Sequence, residues 1–188
     1  MEIATIIINL IFCIALTSTV AVNALGLYSK DRDGVMRRFI YALVFAFMQG
    51  ALAFIGSLLG DLVMYMLDSV GSYVVFALML IVSGRMILDS IKIVRGKKLF
   101  AYSSGWGVLL VALLSSFNTF LISLTTSFYQ PFGDIFYLVI MVLGFGWAMS
   151  TMHVPYSKET FKWTSFLEFS AAVFILVIAV LYLFTDLV

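Results

Sequence analysis

The chain has 188 residues, of which 63% are apolar and only 11% charged, with a formal net charge of +1 and a mean hydropathy of +1.13. A soluble domain carries roughly 25% charged residues, so this chain has too little charge to coat a globular surface, whereas lipid requires none. These numbers exclude a soluble-type enzyme and give no footing for a nucleic-acid partner; they predict an all-α integral membrane protein whose chief partner is the lipid bilayer. A β-barrel also satisfies its backbone in lipid, but it alternates apolar and polar residues, and the stretch from Tyr73 to Val82 is continuously apolar.

A helix needs roughly 20 apolar residues to cross the bilayer core. Six such spans are predicted, at about 3–27, 39–59, 72–93, 108–129, 135–152 and 166–184, within a single membrane domain covering 1–188. The first holds the only cysteine, Cys13, so no disulfide forms within one chain. It is preceded by Glu2 rather than a basic segment and is longer than a signal-peptide core, so it is expected to be retained. Thr17, Ser18, Thr19 and Asn23 interrupt its apolar run, as Gln49 and Gly50 do in the second span.

The third span carries Gly84, read as a packing glycine, and Arg85, about 15 Å along the helix before Arg95. An arginine at that depth costs at least about 2.5–3.5 kcal/mol. It either snorkels to the interface or serves a function, and a pair with Asp89, one turn on, offsets part of the cost. The fourth span is the most polar, with Ser115, Ser116, Asn118, Thr119, Ser123, Thr125 and Thr126. Serines and threonines at depth are first read as bonds between helices. The amides Asn23, Gln49 and Asn118 need partners more urgently, because an unsatisfied amide in hydrocarbon costs several kcal/mol. They are expected to meet one another, a cavity or a ligand.

The fifth span ends at His153, which has no His or Cys beside it to make a zinc site. Trp106, Trp147 and Trp163 fall near span ends, as interfacial anchors do. Every lysine and arginine except Arg85 lies in or beside the segments 28–38, 94–107 and 153–165, the last of these extending to Glu168. The opposite loops and the ends carry only acids: Glu2, Asp61, Asp68, Asp134 and Asp186. The positive-inside rule therefore predicts those three loops in the cytoplasm and both termini outside.

The segments ALTSTVAVNAL (15–25) and LSSFNTFLISL (114–124) are alike, each placing hydroxyls and an asparagine at mid-span. Because three spans is an odd number, a duplicated half enters the membrane in the opposite sense. That predicts two inverted three-helix repeats, about 1–95 and 105–188, with a site at the midplane between them.

The stretch FALMLIVSGRMILD (76–89), with Gly84, Arg85, Met86, Ile87 and Asp89, resembles the third helix of the MntP family of manganese efflux pumps, in the wider LysE-like exporter group. Phe45, Gln49 and Gly56 fall on that family's second-helix spacing, and the helix order, basic third loop and length are similar throughout. The resemblance implies a manganese exporter of the cell membrane, needing no cofactor, with manganese as cargo. It also implies carboxylates that are missing here: the Ser-x-Asp-Ala of the first helix falls on Thr17–Val20, with Thr19 in the acidic place. In the fourth helix Ser116, Phe117, Asn118 and Thr119 put an amide there, and Gln49 stands where some relatives have an acid.

The expected substrate-binding set is Thr19, Asn23, Gln49, Ser116, Asn118, Arg85 and Asp89, with Asn118, Gln49 and Thr19 as metal ligands. Manganese(II) prefers hard oxygen donors, and these residues supply oxygens with little counter-charge. The alternatives are a transporter for a monovalent cation or small zwitterionic solute, or a non-transporting scaffold acting through a partner. A homo-oligomer is left open.

Overall fold

The computed structural model describes residues 3–28, 34–64, 70–94, 105–125, 132–154 and 157–185. They form six α-helices: α1 (Ile3–Tyr28), α2 (Val35–Met64), α3 (Gly71–Val94), α4 (Gly105–Ser123), α5 (Phe136–Met152) and α6 (Lys158–Thr185). Five are long and apolar enough to span a membrane. The sixth, α5, has 17 residues, about 25 Å. The 3₁₀ turn Gly133–Ile135 continues into it and adds about 6 Å, which brings it to the thickness of the hydrocarbon core. Large apolar side chains such as Ile7, Phe47, Leu58, Ile81, Val142 and Leu181 are exposed, so the outer surface is built for lipid. The chain is a multi-pass helical membrane protein.

Three helices start three or more residues earlier than hydropathy suggests, among them α4 at Gly105. The second begins at Val35, which puts Arg37 and Arg38 inside a helix. The sixth begins at Lys158, so Lys158 and Lys162 also belong to a helix. Its start is set by chemistry that a hydropathy window does not weigh: Ser157 Oγ accepts the Thr160 backbone N–H at 3.1 Å, and Glu159 occupies the first turn. A capping hydroxyl and an early acid both stabilise a helix N-terminus. The fourth helix is shorter than the expected 108–129 and ends at Ser123. Glu2, Lys30, Arg32, Asp68, Arg95, Lys97, Lys98, Thr126 and Asp186 lie outside the described residues.

Helices that follow one another in sequence are not the principal packing partners. The first packs on α4, α5 and α6; α2 packs on α4 and α5; α3 packs on α6 and, less extensively, on α4. This pattern is unchanged when α1, α2 and α3 are exchanged with α4, α5 and α6. Nearly all the packing therefore runs between the two halves, and neither half has a core of its own. The most buried helices are α1 and α4, the least α3 and α6. One apolar cluster joins Phe12, Leu16, Met79, Met86, Ile140 and Ile175. A second joins Val20, Phe45, Val111, Ala112, Ala148 and Met152.

Close approach is used where α2 meets α4. A Cβ on Gly56 would lie 2.6 Å from the Phe120 carbonyl oxygen, and one on Gly60 would run into the Leu124 carbonyl. Gly84 is different, since nothing lies within 4 Å of where its Cβ would be. The packing role expected for it is not what the structure shows.

Candidate functional site

Most buried hydroxyls turn back onto their own helices. Thr17 bonds the Cys13 carbonyl, Ser18 that of Ala15, and Ser115 and Ser116 both that of Ala112. This is the usual way a helical hydroxyl satisfies itself, and it corrects the expectation that these residues join helices. Other hydroxyls cross between helices. Thr19 donates to the Ser115 carbonyl (3.2 Å), and Tyr137 donates to Ser57 Oγ (2.7 Å). Ser90 and Ser165 exchange bonds between α3 and α6, and Thr119 donates to Gln49 Oε1 (2.5 Å).

A cavity of about 240 Å³ opens between α1, α3 and α4. Thr19 and Asn23 reach it from α1, Arg85, Asp89 and Lys92 from α3, and Leu114, Ser115 and Asn118 from α4. Five of the seven residues expected at the site are thus brought together. The other two are not. Ser116 is buried on its own helix's Ala112 carbonyl, and Gln49 is fully buried against Thr119 and Gly144, apart from the cavity's lining. A larger groove of about 650 Å³, beside Trp147 and Trp163, is mostly apolar and contains none of the seven.

Within the cavity Arg85 turns to α4. Its Nη1 donates to Asn118 Oδ1 (3.0 Å) and its Nη2 to the Leu114 carbonyl (3.2 Å). The guanidinium carbon stands 5.0 Å from the centre of the Phe117 ring, within the range of a cation–π contact. The pair expected between Arg85 and Asp89 does not form; Asp89 instead meets Lys92 at 3.6 Å. Side-chain direction explains this. Helical side chains lean toward the N-terminus, so Arg85 leans away from Asp89 while Lys92 leans back onto it. The acid-before-base order is also the better one on a helix.

Asn23 is buried and lines the cavity without a hydrogen-bond partner among the described residues. No group of three or more His, Cys, Asp or Glu is assembled among those residues. His153, at the end of α5, places Nδ1 2.7 Å from the Met149 carbonyl.

Residues 34–183 match the family model Mntp, described as "Putative manganese efflux pump". The chain belongs to this family. The Mntp match begins after α1, so Thr19 and Asn23 come from a helix outside the matched stretch, while Arg85, Asp89 and Asn118 lie within it. No curated protein and no solved structure matches the chain.

Leu114, Ser115 and Lys92 also line the cavity and were not expected there. The Leu114 carbonyl could be found only from the fold. Lys92 sits at the junction of the predicted third span and the basic loop, where the sequence marks it only as an orientation charge. Glu168, inside the predicted span 166–184 and at the margin of the last loop, is not among the cavity's lining residues; it is completely buried in α6, one turn beyond the Ser90–Ser165 contact.

Proposed function

We propose that the protein exports a divalent cation, with manganese the cargo its family points to, by alternating access between two inverted three-helix halves. The observation that carries this reading is the cavity between α1, α3 and α4. It gathers amide, hydroxyl and carboxylate oxygens from Asn118, Asn23, Thr19 and Asp89, the hard donors that such a cation takes. The exchange-symmetric packing supports it too, because a site on the α1–α4 contact lies where the two halves meet.

The cavity extends to Lys92 in the last turn of α3, and the basic segment 94–107 follows. In the orientation that we assign by the positive-inside rule, that end faces the cytoplasm. The conformation is then the one in which an exporter loads. Orientation has a direct test, helped by Cys13 being buried and the only native cysteine. An impermeant maleimide added outside intact cells is expected to label Asp61→Cys and to spare Lys162→Cys until the membrane is opened.

Oxygen donors with one acid suit weak, transient binding, which an efflux carrier needs in order to release its cargo. Asn118→Leu is expected to reduce manganese flux in proteoliposomes by about tenfold or more, as loss of a ligand worth roughly 1.4 kcal/mol would. Wild-type protein that moves no manganese, together with unchanged manganese content and tolerance in deletion and overexpressing strains, would sink the reading. A monovalent cation or small zwitterion is the second reading, favoured by Arg85 and Lys92 sharing the cavity with a single acid, Asp89. Flux of such a solute without manganese would select it. Absence of any flux would leave the scaffold.

A further inference from the structure

The contacts of Arg85 are unusual for a charge at this depth. It has no ion pair among the described residues, and the nearest acid on its own helix is engaged with Lys92. What surrounds the guanidinium is a set of cation ligands: an amide oxygen at 3.0 Å, a backbone carbonyl oxygen at 3.2 Å and an aromatic face at 5.0 Å. A carboxylate would fix the arginine in place, whereas neutral oxygens hold a cation by terms that another cation can match.

We propose that Arg85 is a tethered surrogate cation: its guanidinium occupies, on Asn118 Oδ1, the position that cargo takes when the cavity loads. The part played by cargo rests on the cation-export reading; the occupancy of a cation position by Arg85 does not. A second feature of the same cavity points to a ligand. Asn23 is more than nine-tenths buried, with 7% of its surface exposed, and lines the cavity with its amide unpartnered among the described residues. An incoming cation therefore finds Asn118 Oδ1, the Asn23 amide oxygen and Thr19 Oγ1 on neighbouring walls. The displaced guanidinium stays tethered to the α3 wall of the same cavity, beside the Asp89–Lys92 pair. The exchange keeps an empty cavity from exposing bare oxygens in the membrane. It also holds affinity down, because each loading event must first remove a resident charge, and the returning arginine drives release.

The test measures manganese binding to the full-length chain in lipid nanodiscs, by loss of the free-ion electron paramagnetic resonance signal. Wild type is compared with Arg85→Ala, Arg85→Gln and Arg85→Lys. The alanine and glutamine variants are expected to bind about tenfold tighter or better, roughly 1.4 kcal/mol. Lysine, which keeps the charge, should stay near wild type, and adding Asn118→Leu should abolish the gain. Glutamine retains a hydrogen-bonding side chain and serves if alanine fails to fold. An arginine that only supports the fold, or that itself grips cargo, gives equal or weaker binding in both variants, and that result overturns the proposal.

Millimolar guanidinium chloride gives a readout independent of manganese. It should raise the melting temperature of Arg85→Ala and leave wild type unchanged, because only the variant has the position vacant. If manganese binds neither protein but guanidinium stabilises the variant, the manganese reading falls and the surrogate cation stands. If neither ion acts on the variant, the surrogate cation falls.

Discussion

Leucine at Gly60 is expected to leave little folded protein in the membrane fraction. The reason lies in what α2 meets. Gly56 and Gly60 are one turn apart on the face that crosses α4, and their missing side chains let the two backbones touch. A Cβ on Gly56 would lie 2.6 Å from the Phe120 carbonyl oxygen and 2.8 Å from Ser123 Cβ; one on Gly60 would lie 2.8 Å from the Leu124 carbonyl carbon. Overpacking usually costs about 1–3 kcal/mol where side chains can move aside. Here the obstacle at Gly60 is backbone, so the cost should reach about 3 kcal/mol or more, a large part of the stability of a small protein.

The damage would also reach the site. Phe120 follows directly on Asn118 and Thr119, and Leu124 lies one turn further on, so pushing α4 away from α2 moves the oxygen that Arg85 holds. Gly60→Ala should therefore keep some folded protein and still lose transport. Gly84→Ala is the control. With nothing within 4 Å, it should melt at the wild-type temperature or slightly above, since alanine gains about 0.5–1 kcal/mol over glycine in a helix. Yield and melting temperature of fluorescent fusions in detergent decide both. Wild-type behaviour of Gly60→Leu would show that the crossing is looser than the structure has it.

The existence of six helices was legible because lipid imposes one rule on every span, and an apolar run of sufficient length obeys it wherever it occurs. Helix ends were less legible. The start of α6 depends on one hydroxyl, Ser157, whose effect is local and invisible to a window of mean hydropathy. Neighbour relations were illegible. Short loops suggest that consecutive helices pack together, yet α1 packs on α4, α5 and α6, a choice made by side-chain fit across the whole bundle.

The site divides in the same way. Polarity at depth marked Thr19, Asn23, Gln49, Ser116 and Asn118, but α4 is polar on two faces. Ser115 and Asn118 are three residues apart and share one face, while Ser116 and Thr119 share the next. Nothing in the sequence says which face meets Arg85 and which meets Gln49. The partner of Arg85 was misjudged because spacing alone put Asp89 within reach. Spacing carries no information on the lean of helical side chains, which sends Arg85 the other way.

Gln49→Met is expected to make the protein more stable and less active. Gln49 is fully buried; its Oε1 accepts from Thr119, and its Nε2 has no partner among the described residues. Turning the amide over only exchanges which atom is unpaired. A buried donor left unmade costs about 1–3 kcal/mol, and no slack exists to relieve it, since a Cβ on Gly144 would already lie 3.1 Å from Gln49 Cγ. Methionine matches glutamine in length, carries no strong polar group and adapts to an irregular space. Thr119, once released, can bond the carbonyl four residues back on its own helix, as its neighbours do. The net gain should be about 1 kcal/mol, seen as a melting temperature raised by several degrees.

Removing both polar partners, in Gln49→Met with Thr119→Val, should gain at least as much, because an apolar pair of the same shape leaves nothing unsatisfied. A group kept at a cost in stability is where function is to be sought. Flux should accordingly fall about tenfold in either variant if this amide contacts cargo or must change partners as the halves rock, roughly the effect of losing 1.4 kcal/mol. A stabilised protein with undiminished flux would take Gln49 out of the transport path and leave the cavity at Asn118 as the whole site. A destabilised one would mean that the Nε2 group has a partner, water or ion, held between α2, α4 and α5.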